Sequence, residues 1–173
     1  MLALVFFYLY MQERQRYLAI WTWAWVVYSL RFVFQILIVR YGYSDWWWFV
    51  NQGAMIASGL LLLWGTFIFS GKRMPPAWLY VSLLCGAWTV AALWYELAFF
   101  WLTLPLFAFN GGIFIWTGVI LLGYREALGV GHKITGWAFV VWGLHKLDYP
   151  LIRPVEWLAP WGYLLGSLLQ LLV

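Results

Sequence analysis

Long apolar runs broken by short polar segments dominate this chain. Six of them, at about 17–39, 46–70, 76–95, 97–123, 134–149 and 155–173, approach or exceed the ~20 apolar residues a helix needs to cross a bilayer core. A seventh run, LALVFFYLYM, is short: ten residues give only about 15 Å of helix. We read it as the inner end of a spanning helix or as a strongly mismatched one. A membrane β-barrel would instead show segments of about ten residues with alternating polarity, and no such segments occur. The pattern therefore predicts an all-α, polytopic membrane helix bundle of six to seven transmembrane helices, a single module over 1–173.

The breaks between the runs are compact. QERQR at 12–16 follows the first run, YGYSD at 41–45 the second, and GKRMPP at 71–76 the third. Glu96 marks a tight turn after the fourth, and YREALGVGHK at 124–133 leads into the sixth. In the last connection Pro150 is expected to stop one helix and Pro154 to sit in the first turn of the next. The chain closes on LLQLLV without a basic anchoring residue, which suggests a module that continues beyond Val173.

Composition sharpens this picture. Of 173 residues 66% are hydrophobic and 9% charged, and the mean hydropathy is +0.84. A soluble domain carries roughly a quarter charged residues, so the surface must face lipid. The net charge of +4 is then no sign of nucleic acid. Its meaning lies in its distribution, because loops rich in Lys and Arg stay cytoplasmic. The first, third and fifth connections hold Arg14, Arg16, Lys72, Arg73, Arg125 and Lys133, whereas the second, fourth and sixth hold Arg40, Lys146 and Arg153. Seven helices would thus place the N-terminus outside and the C-terminus in the cytoplasm. Cys85, the single cysteine, reads as a small buried hydrophobe. Most of the 16 tryptophans, among them Trp46, Trp47, Trp48, Trp157 and Trp161, read as interfacial anchors.

On that topology the rare polar residues gather toward the outer side. Arg31 lies deep in the second run with Gln35 one turn further out; Asn51 and Gln52 lie near the start of the third; Asn110 is halfway along the fifth. The segment GLHKLDYPLIRPVEWLAPWG at 143–162 concentrates charge, and His145, Asp148 and Tyr149 share one helix face by their i, i+3, i+4 spacing. An arginine at bilayer depth costs at least ~2.5 kcal/mol on insertion scales, so Arg31 should face the bundle interior and pair. Asp148, or else Glu96, is the expected carboxylate. Three readings follow: a salt-bridge lock that fixes packing, an outward pocket for a small polar ligand formed by Arg31, Gln35, Asn51, Gln52, Glu96, Asn110, His145, Asp148 and Tyr149, or Arg31 snorkelling to the interface.

Other chemistry finds little purchase. His132 and His145 are the only histidines and stand about 20 Å apart if helical, so they cannot share a metal, and no cofactor is expected. Catalytic signatures such as GxSxG, HExxH or a Gly-rich phosphate loop are missing. No acidic ring marks a channel. A transporter would more often show two broken helices at matching places, and the Asn110-Gly111-Gly112 step with Pro105 before it is one break without a partner. Gly162 and Gly166 form a GxxxG, explained equally by dimerisation or by packing within the chain.

The order of QERQRYLAIWTWAWVVYSLRF and, far downstream, GLHKLDYPLIRPVEWLAPWGYLLG resembles the N-terminal multi-helix sensor regions of bacterial signalling proteins. In those, a membrane bundle precedes cytoplasmic PAS, histidine kinase or diguanylate cyclase (GGDEF) domains. The resemblance implies a bacterial inner-membrane sensor, a small-molecule ligand, a fused cytoplasmic signalling domain and a homodimer; it carries no ligand-binding residues with it. The alternative is a self-contained carrier or channel for a small solute, and a third reading is a membrane-anchored enzyme using His145 and Asp148.

Overall fold

A computed structural model describes residues 2–42, 44–124 and 130–172. The described residues form seven helices and no strand: α1 (Leu2–Glu13), α2 (Arg16–Tyr41), α3 (Asp45–Phe69), α4 (Ala77–Trp94), α5 (Phe99–Gly123), α6 (Gly131–Ile152) and α7 (Ala159–Leu172). Arg125, one of the charges expected on the cytoplasmic side, lies outside the described residues. Helices α2, α3, α4 and α5 are each long and apolar enough to cross a membrane, which marks the chain as a membrane protein. Helix α6 has the length, with 22 residues, but carries Lys133, Lys146 and Asp148 among its apolar positions. With 12 and 14 residues, α1 and α7 fall short of the ~20 needed to span unaided.

Beside an apolar core, large apolar side chains stand on the outside and several polar ones are buried. Val39, Trp94, Tyr41 and Leu4 are more than 70% exposed, while Asn51, Gln52, Ser58, Thr66, Thr89, Thr103, Asn110 and Thr117 are buried. Lipid offers apolar side chains as good a home as a core does, so helix contacts in membranes select small and polar residues instead. Three of the buried hydroxyls are served locally: Thr66 donates to the carbonyl of Leu62, Thr89 to Cys85 and Thr103 to Phe99, each at 2.7–2.8 Å.

The chain divides into two compact units, Met1–Trp94 and Tyr95–Val173. In the first, α2 and α3 pair antiparallel, with α1 against α2 and α4 against α3. The α2–α3 seam is aromatic. The Trp21 indole donates to the Leu62 carbonyl at 3.2 Å, Tyr17 meets Phe69 edge-on, and Phe34 stacks on Trp47. Gly65 leaves room for the Trp21 ring, since a Cβ there would lie 2.6 Å from it. Gly71, at φ +69°, ends α3: its N–H and that of Lys72 reach back to Ile68 and Phe67 at 3.0 and 2.9 Å, closing the orphan carbonyls.

In the second unit α5 and α6 pair antiparallel and α7 packs on α6. The α5–α6 seam is built on glycine. Gly111 faces Gly143 and Gly118 faces Gly136, so closely that a Cβ on Gly143 would lie 2.6 Å from the Gly111 carbonyl oxygen and one on Gly118 2.5 Å from that of Gly136. The Asn110-Gly111-Gly112 step is therefore no break. Helix α5 runs through both it and Pro105, and Gly111 is a packing surface. Pro150 likewise does not stop α6, which continues to Ile152, and the Arg153 N–H closes on the Tyr149 carbonyl at 2.9 Å. Proline inside an apolar helix is tolerated where neighbouring helices and local adjustments re-satisfy the freed backbone, and Pro150 is buried. Pro154 falls in the turns at 153–158 rather than in the first turn of α7.

Candidate functional site

The polar face of α6 is positioned by its helix spacing and by the turns at 153–158, which bring α7 back alongside. The His145 Nδ1 lies 3.1 Å from Asp148 Oδ2 on the same helix, and Nε2 lies 2.9 Å from the carbonyl oxygen of Gly162 in α7. The His145 side chain is 11% exposed and that of Asp148 40%. Since a carbonyl can only accept, Nε2 carries a hydrogen and donates. The contact on the other side then needs a proton of its own, on Nδ1 or on the carboxyl, because two bare lone pairs would repel. Asp148 Oδ1 is shielded from solvent with no hydrogen-bond partner among the described residues. His145 is thus a bridge between a carboxyl group on α6 and the backbone of α7.

The GxxxG of α7 belongs to this bridge. A Cβ on Gly166 would stand 3.5 Å from His145 Nε2, and one on Gly162 3.9 Å from Cε1 and 3.2 Å from Ile152. The two small residues form the floor beneath the imidazole, so they serve packing within the chain. Beside it, Tyr149 stacks on Phe107 of α5 with ring centres 4.1 Å apart and 9° between planes. The Lys146 ammonium lies 5.6 Å from the Trp142 ring centre and 5.9 Å from that of Phe107. Such cation–π contact suits an ammonium withdrawn from water. Arg153 covers the Tyr163 ring at 5.5 Å, next to an open groove of about 770 Å³ bordered by Phe99, Pro154, Glu156 and Pro160.

A second polar cluster lies in the first unit. Arg31 Nε donates to Asn51 Oδ1 at 3.3 Å, Asn51 Nδ2 returns a bond to the Arg31 carbonyl at 3.0 Å, and the guanidinium lies 5.4 Å from the Tyr28 ring centre. Gln52, 6% exposed, keeps its Oε1 buried without a hydrogen-bond partner among the described residues. Gln35 is exposed on α2. In the second unit, Glu96 is exposed in the turn before α5, at φ +49°. Asn110 is 2% exposed and turns its amide back to the Leu106 carbonyl at 3.1 Å.

The candidate residues thus fall into local groups. Arg31 and Asn51 meet in one unit; His145 and Asp148 meet in the other, with Tyr149 next to them on the Phe107 ring. The Gly162 carbonyl, the glycine seam and the Lys146 aromatic contacts went unread in the sequence. A signal for the seam was present: Gly111 and Gly118, and again Gly136 and Gly143, are seven residues apart, which is two helical turns. Among the described residues, no three His, Cys, Asp or Glu side chains come together in a way that would hold a metal. No family model, no curated protein and no solved structure matches the chain.

Proposed function

We propose that this chain is the membrane-embedded sensor module of a bacterial signal-transduction protein. A small polar ligand engages its outward polar residues, and the resulting shift in α6 passes through α7 to a cytoplasmic histidine kinase or diguanylate cyclase domain. On this reading the protein lies in the inner membrane with its N-terminus outside and its C-terminus cytoplasmic, and it works as a homodimer. The observation that carries the reading is the His145 bridge. One ring is held by the titratable carboxyl of α6 and by a backbone carbonyl of α7, at 3.1 and 2.9 Å. A ligand that draws Asp148 away must reorient the imidazole and disturb the hydrogen bond to α7. A ligand shifts such an equilibrium only by its difference in affinity for the two arrangements, and a bridge between two helices makes that difference structural.

The test joins the chain after Val173 to a diguanylate cyclase domain and follows cyclic dinucleotide output against a panel of small polar solutes. A solute that changes output in the wild type and not in Asp148→Asn or His145→Leu, both folded, supports the reading. Solute flux into proteoliposomes, with output unresponsive to every solute, would replace it with the carrier.

A further inference from the structure

We propose that Arg31 is an oxyanion-binding site, taking the carboxylate or phosphate oxygens of a ligand in the half of the α2–α3 pair nearer the connection between the two helices. The position sets the problem. Helix α2 has 26 residues, about 39 Å, against a hydrocarbon core of ~30 Å, and Arg31 lies ten residues before its end, about 15 Å. Its charge is therefore well inside the apolar layer.

Its own unit leaves that charge unneutralised. Of the five N–H donors of the guanidinium, Nε–H is taken by Asn51, and Tyr28 lies against the group. The terminal nitrogens have no acceptor among the described residues, and neither carboxylate of the unit, Glu13 or Asp45, forms an ion pair with it. Asn51, 3% exposed, is locked by its return bond to the Arg31 carbonyl and so holds the guanidinium plane in place. What remains is a planar fork of paired donors, half-buried, preset and aimed at no acceptor among the described residues. That is the geometry that binds two oxygens of one carboxylate or phosphate. A neutral asparagine beside it, where an aspartate would have neutralised the charge, keeps the fork available to an anion from outside the chain.

The site lies within the first unit and stands on that unit's own geometry; it rests on the sensor reading only for the claim that binding is signalled. Binding to the purified chain and output from the reporter fusion are separate measurements, so either can fail alone.

The full chain, in a non-ionic detergent free of phosphate, is titrated calorimetrically with inorganic phosphate, with acetate and with short-chain phosphatidylglycerol. Saturable binding of at least one is expected. Arg31→Gln should weaken it at least tenfold, and Arg40→Gln should leave it unchanged. Asn51→Asp supplies an internal carboxylate at the Nε contact, at the cost of the bond that Asn51 Nδ2 donates to the Arg31 carbonyl. It should weaken binding equally, and, with its helical signal in detergent checked against wild type, it decides the matter if Arg31→Gln does not fold. Binding of the lipid alone assigns the source to a headgroup; binding of phosphate or acetate assigns it to a soluble anion. Absence of saturable binding by all three, or binding unaltered in both Arg31→Gln and Asn51→Asp, overturns the proposal.

Discussion

A methyl group placed on Gly143 would stand 2.6 Å from the carbonyl oxygen of Gly111 and 2.7 Å from the Ile115 side chain. Backbone cannot yield as a flexible side chain does, so the α5–α6 pair would have to separate. Overpacking usually costs about 1–3 kcal/mol and alanine gains ~1 kcal/mol in a helix, so Gly143→Ala is expected to destabilise the second unit by up to about 2 kcal/mol net. Gly112→Ala, where a Cβ meets nothing within 4 Å, should be neutral or stabilising. Unfolding midpoints in detergent decide it, and equal effects at the two positions would show that the seam does not hold the helices.

The His145 bridge makes a chemical prediction separable from signalling. In Asp148→Asn the amide N–H can donate to Nδ1 while Nε2–H still donates to Gly162, so the bridge survives without a carboxyl group. Its stability should stay within about 0.5 kcal/mol of wild type. Asp148→Leu removes the partner of Nδ1, and His145→Leu removes both contacts, at about 0.5–1.5 kcal/mol per lost bond. Should Asp148→Asn unfold as readily as His145→Leu, the charge itself locks the fold, and its role in ligand binding falls away.

The Phe107–Tyr149 stack, at 4.1 Å and 9°, ties α5 to the polar face of α6. Tyr149→Leu keeps an apolar side chain and loses the ring, so a loss of about 0.5–1.5 kcal/mol is expected. A double cycle with Phe107→Leu measures the pair. A coupling near zero would reduce the stack to ordinary area burial.

Sidedness is open to a direct measurement. Arg14, Arg16, Lys72, Arg73 and Lys133 sit in or beside connections expected on the cytoplasmic side. A phosphatase or fluorescent reporter fused after Val173 should read as cytoplasmic, and one inserted between Arg153 and Leu158 as external. The reverse pair of readings would invert the sensor proposal.

Hydropathy alone located the helices of the described residues, six from long apolar runs and the first from a short one. In lipid every backbone polar group must be satisfied within its own segment, so each helix is a local problem that the sequence of that segment solves. The Glu96 turn and the shared face of His145 and Asp148 were legible for the same reason, being matters of local spacing. The ends of α6 and α7 were not, because Pro150 breaks a helix in water but is accommodated when buried against neighbours. Partner choice was decided by tertiary structure. Charge balance pointed Arg31 toward a carboxylate, whereas within its unit it is bound by the neutral amide of Asn51, which carries no charge signal along the chain. The acceptor for His145 is the main-chain oxygen of Gly162, a group every residue possesses and no sequence marks. The GxxxG of α7 and the paired glycines of α5 and α6 announce close approach but not to what. Only the packed helices fix which backbone comes near, since that depends on the register between two segments and not on the content of either.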